Sequence, residues 1–114
     1  MARNRATINR ITEEVSDRVQ NALGAKLHKV ILYGSYARGD YDEGSDIDVM
    51  VLADINRDEL EKTEKALWDI GWDIGIEYDV MISVFLKDAT HFYEWLDAMA
   101  YYRNIAEDGV LLYG

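Results

Sequence analysis

Apolar residues near the start of the chain recur at steps of three and four positions, whereas further along they form short continuous runs. A stripe of this period predicts an amphipathic helix, and the glycine at position 24 marks its C-terminal end. The members of the stripe are Ile8, Ile11, Val15, Val19 and Leu23. We therefore expect the chain to open with a helix that buries one face.

Four apolar runs rich in branched or aromatic side chains are typical of β-strands. They cover residues 29–33, 47–52, 80–86 and 110–113. The last run follows the turn signal Asp108-Gly109. Together with the helices described next, they give the order α-β-β-α-β-α-β. This order predicts one α/β domain over residues 1–114, a small mixed sheet flanked by helices.

A second helix is expected after Asn56, which resembles an N-cap with Glu59 as its partner at the third helical position. It contains the repeat Trp-Asp-Ile-Gly twice, at residues 68–71 and 72–75. The two glycines of the repeat either weaken the helix or allow it to approach the sheet closely. We expect the two tryptophans of the repeat, and Trp95, to lie in the core.

A third amphipathic helix is expected from residue 88 to about residue 106, with most of its large side chains on one side. These are Phe92, Trp95, Leu96, Met99 and Tyr102. The sequence leaves two roles open for this aromatic side, because it can pack on the sheet of the same domain or form a docking face for a partner.

The composition excludes several classes of protein. The net charge of −10 argues against non-specific nucleic-acid binding, which needs a cationic surface. The absence of cysteine excludes disulfides and thiolate metal sites. Nothing resembles a signal peptide, and no apolar run approaches the ~20 residues of a membrane span. We therefore expect a cytoplasmic protein that does not associate with membranes.

Acidic residues crowd between the first two predicted strands. Asp46 and Asp48 stand two apart at the start of a strand, so their side chains point to the same face, with Cα atoms about 6.5–7 Å apart. Two carboxylates so placed repel each other unless a cation lies between them, and oxygen ligands suit Mg²⁺ or Mn²⁺. We interpret the nearby Asp40, Asp42 and Glu43 as solvated loop residues.

The other half of this segment can bind an anion. Gly34 and Ser35 follow the first predicted strand and are expected to begin a short helical turn, where backbone N–H groups and a hydroxyl can face a phosphate. Arg38 can pair with a further phosphate oxygen. Tyr36 and Tyr41 flank the motif, either to stack on a base or as exposed loop tyrosines.

Read together, Gly34-Ser35-Tyr36-Ala37-Arg38-Gly39 and Ser45-Asp46-Ile47-Asp48 resemble the signature of the polymerase-β-like nucleotidyltransferases, in particular the minimal nucleotidyltransferases. The resemblance implies transfer of a nucleoside monophosphate from a triphosphate to an acceptor hydroxyl. It implies that Asp46 and Asp48 hold two Mg²⁺ ions, with Mn²⁺ as the alternative. Gly34, Ser35 and Arg38 would bind the triphosphate of ATP.

Members of this group resemble antitoxins encoded beside HEPN-type ribonuclease toxins, whose tyrosine hydroxyl receives AMP. The resemblance therefore implies a HEPN-type toxin as partner in a hetero-oligomer. Two alternatives stay open. One is an antitoxin, catalytically weak or idle, that neutralises its partner by binding alone. The other is a small-molecule nucleotidyltransferase similar to those that modify aminoglycosides.

The family normally carries a third carboxylate, which is catalytic and a metal ligand, on a later strand. Asp79 is our candidate, ahead of Glu77, and it reaches Asp46 and Asp48 if the third strand starts early enough to include it. If the preceding helix instead extends to this point, Asp79 is a turn residue. Ser83 then occupies the usual position and cannot act as a carboxylate.

Overall fold

The computed structural model describes residues 4–42 and 44–114, so the predicted loop residue Glu43 lies outside the described residues. The helices are α1 (Arg5–Leu23), α2 (Ser35–Arg38), α3 (Leu60–Tyr78), α4 (Ala89–Glu94) and α5 (Ala100–Asp108). The strands are β1 (Leu27–Tyr33), β2 (Ile47–Ala53), β3 (Ile82–Asp88) and β4 (Val110–Tyr113). Short 3₁₀ turns at Gly24–Lys26 and Arg57–Glu59 lead into β1 and α3.

The four strands form one sheet in the order β3-β2-β1-β4. β1 runs antiparallel to both of its neighbours, whereas β2 and β3 are parallel. The parallel pair needs a crossover, and α3 provides it. This arrangement confirms the predicted mixed α/β sheet.

The sheet buries both of its faces, and alternate residues of β2 serve different faces. Ile47, Val49 and Val51 pack in the cluster that contains the apolar stripes of α1 and α3. Met50 and Leu52 pack in a second cluster with residues of α4 and α5. Among the described residues, no helix is long and apolar enough to cross a bilayer.

The prediction of one continuous third helix is wrong, because the chain turns at residues 95–98 and forms the two helices α4 and α5. Phe92 and Tyr102 are buried on the sheet, with ring centroids 4.9 Å apart. The turn leaves Trp95 and Met99 exposed. Periodicity alone could not detect this break, because the turn returns Tyr102 to the same cluster as Phe92.

The prediction that all three tryptophans are core residues is also wrong. Trp68 and Trp72 are 54% and 63% exposed, and Trp95 is 49% exposed. The buried side of α3 carries Leu67, Ile70 and Ile74, and the glycines of the repeat, Gly71 and Gly75, lie between this side and the tryptophans. The tryptophans of the repeat therefore point away from the core.

The glycines of α3 allow the close approach to the sheet that the sequence left open. A Cβ atom at Gly71 would lie 2.9 Å from the carbonyl oxygen of Ile82 and 3.1 Å from Cγ2 of Val84. At Gly75 it would come closer still, 2.5 Å from the carbonyl oxygen of Val80. The helix can therefore lie almost directly on the backbone that leads into β3.

We predict that Gly71→Ala lowers the free energy of unfolding by about 1–3 kcal/mol, because the added methyl group forces α3 away from β3. Chemical denaturation of the purified chain measures this change. The exposed Lys62→Ala in the same helix is the matched control and should stay within about 0.5 kcal/mol. A stabilised Gly71→Ala variant would contradict the close approach, since alanine is otherwise the better helix former.

Candidate functional site

The register of three strands fixes the position of the Asp48 carboxylate. Asp48 lies opposite Tyr33 in the antiparallel pair of β1 and β2, and beside Ser83 in the parallel pair of β2 and β3. Residues in register point to the same face of a sheet. Tyr33, Asp48 and Ser83 therefore form a row across the sheet, on the face that α4 and α5 cover further along the strands.

The two predicted metal ligands are brought together. Asp46 is exposed just before β2, and Asp48 is half-buried within it. Burial raises the pKa of Asp48, the negative charge of Asp46 raises it further, and the Arg38 guanidinium opposes both effects. The two carboxylates therefore repel each other across a short distance, and a cation between them would relieve the repulsion.

Gly34 lies directly against the Asp48 carboxylate, in a backbone conformation that favours glycine. Its φ is 76°, and a Cβ atom would lie 2.6 Å from Oδ2 of Asp48. Its carbonyl oxygen accepts hydrogen bonds from the backbone N–H groups of Ala37 and Arg38, both at 3.1 Å. The helix α2 therefore begins at Ser35, directly beside the carboxylate, as the sequence predicted.

Tyr36 was expected either to stack on a base or to be an exposed loop residue, and both predictions are wrong. Its side chain is fully buried, and its ring stacks on that of Tyr41 at a centroid distance of 4.4 Å. It lies in the core cluster with the apolar stripe of α1. Tyr36 therefore anchors the short helix α2 and fixes the position of Ser35.

The acidic loop is partly structural. The Asp42 carboxylate accepts a hydrogen bond from the backbone N–H of Gly44 at 2.9 Å, and Oγ of Ser45 accepts one from the N–H of Asp42 at 3.0 Å. Asp40 is exposed as predicted and accepts from Nε of Arg38 at 3.3 Å. Asp42 is therefore more than a solvated residue, because its side chain shapes the turn before Asp46.

Asp79 does not meet the condition on which its assignment rested. It is the C-cap of α3 in a left-handed conformation, with φ 53° and ψ 52°, and β3 begins three residues later. Ser83 is the residue in register with Asp48. The structure thus follows the alternative in which Asp79 is a turn residue. Within residues 4–42 and 44–114, no three acidic or histidine side chains form a metal-binding group.

An aromatic cluster lies beside Asp48 on the same face of the sheet. The ring of Tyr33 is 6.5 Å from that of Phe85 and 6.3 Å from that of Tyr101, and the two tyrosine hydroxyls are 3.3 Å apart. Burial, the Tyr101 hydroxyl and the charge of Asp48 all raise the pKa of Tyr33. Its hydroxyl thus stays protonated at neutral pH.

Sequence reasoning missed this aromatic cluster. Tyr33 directly precedes Gly34, and Phe85 shares parity with Ser83, so their common face could have been inferred from the strands. Tyr101 could not be placed in this way, because its position depends on the turn between α4 and α5.

The donor set fits a hard divalent cation in part. Asp46 and Asp48 supply carboxylate oxygens, which Mg²⁺ and Mn²⁺ prefer, and Mg²⁺ usually keeps several waters and needs only one or two carboxylates when a phosphate also binds it. The half-buried, repelled state of Asp48 is an electrostatic reason for such an ion to bind here.

We predict that Asp48→Asn raises the melting temperature of the metal-free chain at pH 7. The folded state raises the pKa of this carboxyl above its unfolded value, so ionisation of Asp48 destabilises the fold as pH rises through the folded pKa. The difference between variant and wild type should vanish below about pH 4, where the carboxyl is protonated in both states. Thermal denaturation across pH measures it.

The exposed Asp97→Asn is the control for this experiment and should change the stability by no more than about 0.5 kcal/mol. Added Mg²⁺ should raise the melting temperature of the wild type more than that of Asp48→Asn, because binding to the native state stabilises it. A variant less stable than wild type without metal would contradict the electrostatic conflict at Asp48.

We predict that Ser83→Asp tightens Mn²⁺ binding by about tenfold, because it adds a third carboxylate in register with Asp48. Titration followed by electron paramagnetic resonance measures free Mn²⁺ directly. Ser83→Asn, which has the same shape without the charge, should bind like the wild type. Equal Mn²⁺ affinity in the Asp and Asn variants would show that position 83 does not face the cation.

Similar proteins share this architecture. A protein of Methanocaldococcus jannaschii that is named as a candidate protein adenylyltransferase is 34% identical over 97 residues, which are 82% of this chain and 89% of that protein. A solved structure described as a toxin-antitoxin with AMP-PNP superposes with a TM-score of 0.56 at 21% identity, covering 90% of this chain and 73% of that one.

A second solved structure, a tri-AMPylated HEPN toxin of Shewanella oneidensis in complex with its MNT antitoxin, gives a TM-score of 0.51 at 18% identity. It covers 93% of this chain and 72% of the matched one. At these identities the two structures show a shared fold. The model of the family described as the nucleotidyltransferase domain matches residues 8–111, nearly the whole chain. The chain therefore belongs to the nucleotidyltransferase domain family.

Proposed function

We propose that this chain is a divalent-metal-dependent adenylyltransferase that moves AMP from ATP to a tyrosine hydroxyl of a HEPN-type toxin and thereby acts as its antitoxin. The reaction would take place in the cytoplasm, where ATP is supplied. Family membership supports the transfer of a nucleotidyl group. The nucleotide, the acceptor and the partner are parts of our proposal.

The observation that carries this proposal is the contact between the carboxylate pair and the turn before α2. Asp48 lies against Gly34, and its pKa responds to both Asp46 and Arg38. A triphosphate bound at Gly34 and Ser35 would thus bring its phosphate oxygens next to the cation ligands. Arg38 is half-exposed in its pair with Asp40, so it can turn toward a phosphate at little energetic cost.

In this reaction the acceptor oxygen forms a bond to the α-phosphorus of ATP while the bond to the bridging oxygen breaks. Pyrophosphate leaves, and the acceptor hydroxyl loses its proton. Two Mg²⁺ ions, or Mn²⁺, would neutralise the phosphate charge and polarise the reacting oxygens. Asp46 and Asp48 would hold these ions, and Ser35 would orient the triphosphate. The close contact of Gly34 with Asp48 would keep the ions and the triphosphate next to each other.

The aromatic cluster beside Asp48 supports an aromatic acceptor. Tyr33, Phe85 and Tyr101 present partly exposed rings next to the carboxylates, and such rings favour edge-to-face or offset contacts with a further ring. The phenol of an incoming tyrosine could therefore pack there with its hydroxyl toward Asp48. The toxin in the similar complex is tri-AMPylated, so it carries the group that this reaction would transfer.

A second candidate is an antitoxin that neutralises its partner by binding alone, and one observation favours it. Ser83 stands where a third carboxylate would complete the cation site, and Asp79 lies in a turn instead. A site with two carboxylates would hold metal more weakly than one with three, which would slow transfer. The two candidates differ in whether neutralisation requires Asp46 and Asp48.

We predict that Asp46→Asn lowers the rate of AMP transfer by about 10³-fold or more, since several kcal/mol of charge stabilisation by the metal would be lost. The assay combines the chain, labelled ATP, Mg²⁺ and the HEPN-type protein encoded beside it, and mass spectrometry locates the added AMP. Asp97→Asn, at an exposed position away from the site, serves as the control and should keep wild-type activity.

Neutralisation of the toxin is measured with the same variants. Loss of both transfer and neutralisation in Asp46→Asn supports the adenylyltransferase. Neutralisation that persists in stoichiometric amounts, without added AMP, would instead establish the binding-only antitoxin. Failure of the wild-type chain to transfer any nucleotide to this protein would exclude the enzymatic proposal.

A further inference from the structure

An exposed apolar groove runs along the outer side of α3. Its walls are Trp68, Trp72 and Ile76 from the helix and Met81 from the segment before β3, and these four residues are between 53% and 65% exposed. The helix residues are spaced by four positions, so they lie on one side of α3. We call this feature the tryptophan groove. Soluble proteins rarely expose apolar surface of this kind unless it binds something.

The floor of the tryptophan groove is formed where α3 packs closely against the chain. Gly71 and Gly75 line it and bring the helix close to the chain that enters β3, and the resulting volume is about 420 Å³. The sheet order places β3 at the outer edge, hydrogen-bonded to β2 on one side. Large, rigid tryptophan side chains on both turns of the helix lose little conformational entropy when another surface covers them.

The charges around the tryptophan groove indicate what kind of segment covers it. Glu64 lies one turn before Trp68 on the same side of α3, Glu61 lies a further turn back, and Asp79 lines the opposite end. Glu61 and Glu64 form no ion pair with any of the residues that the structure describes, whereas Asp69 and Asp73 are paired with Lys65 and Arg18. The groove therefore has carboxylates at both ends.

This charge pattern disfavours a second copy of the chain as the occupant. The net charge of each copy is −10, and a two-fold contact through the groove would bring these carboxylates toward those of the other copy. Like charges facing each other across an interface oppose association, whereas opposite charges speed and orient it. The complementary occupant is apolar where it meets the tryptophans and basic where it meets Glu61 and Glu64.

We infer that the tryptophan groove is the docking site for a basic amphipathic segment of another protein, whose apolar side chains lie between Trp72 and Met81 while Lys or Arg residues face Glu61 and Glu64. The groove lies on the side of the sheet covered by α3, away from the face that presents Asp48. Docking therefore leaves the nucleotide site accessible. The inference relies on the proposed function only for the partner that is tested, the HEPN-type protein.

The chain contains no cysteine, so a single cysteine can carry an environment-sensitive fluorophore without competing sites. Ile76→Cys places the label in the groove, and Trp95→Cys places it at an exposed position on α4's C-terminal cap. On titration with the HEPN-type protein encoded beside this chain, we expect a blue shift at position 76 and none at position 95. A complex with no change at position 76 would overturn the inference.

Two further variants test the apolar and the charged contacts separately. Trp72→Glu should weaken binding at least tenfold, and because the side chain is exposed the variant should fold normally, which circular dichroism checks. The double variant Glu61→Gln, Glu64→Gln should weaken binding and flatten its dependence on NaCl. Glu107→Gln, an exposed acid on α5, is the control and should bind like the wild type. Wild-type binding by Trp72→Glu would overturn the inference.

The AMP-transfer assay on the same samples separates this inference from the proposed function. Groove binding without transfer would leave the inference standing and refute the enzymatic activity. Transfer to a partner that does not shift the label at position 76 would do the reverse. If the protein neither binds nor is modified, both fail. Light scattering of the chain alone should show a monomer, and a dimer that buries the label would overturn the choice of a basic partner.

Discussion

The site depends on the absence of a side chain at Gly34, where β1 ends against Asp48. The register of the antiparallel pair places Tyr33 opposite Asp48, and the following residue then turns where a Cβ atom would meet the end of the Asp48 side chain. Only glycine readily adopts its positive φ. Since α2 starts immediately afterwards, this one contact sets the distance between the proposed phosphate-binding turn and the carboxylates.

Two groups hold that contact in place. Tyr36 anchors α2 from below by full burial against Tyr41, and the Asp42 turn shapes the approach to Asp46. Asp48 is half-buried beside a second carboxylate, and both its burial and this neighbour raise its pKa. Functional sites commonly retain such strain where the surrounding structure determines the geometry. A cation bound between Asp46 and Asp48, or protonation of Asp48, would relieve this conflict.

The two faces of the sheet carry different proposed sites. Asp48, Ser83 and the aromatic cluster lie on the face toward α4 and α5, whereas α3 covers the opposite face and carries the tryptophan groove on its outer side. A partner held at the groove could thus reach around the edge strand β3 to present a hydroxyl at the carboxylates. This division would compensate for a proposed cation site that has two carboxylates, since tight docking raises the local concentration of the acceptor.

The sequence by itself determined where the four strands lie along the chain, the first helix and the motif residues, because these follow from local periodicity and from side-chain types at short spacing. Asp46 and Asp48 were placed on one face by the two-residue repeat of a strand, and Gly34 and Ser35 by the strand-to-helix turn. The place of Asp79 depended on where α3 ends, and the exposure of Trp68 and Trp72 on which side of α3 meets the sheet. Only tertiary packing decided these points. The glycines of α3 let its buried side approach β3 closely, and the tryptophans then remain exposed on the other side of the groove.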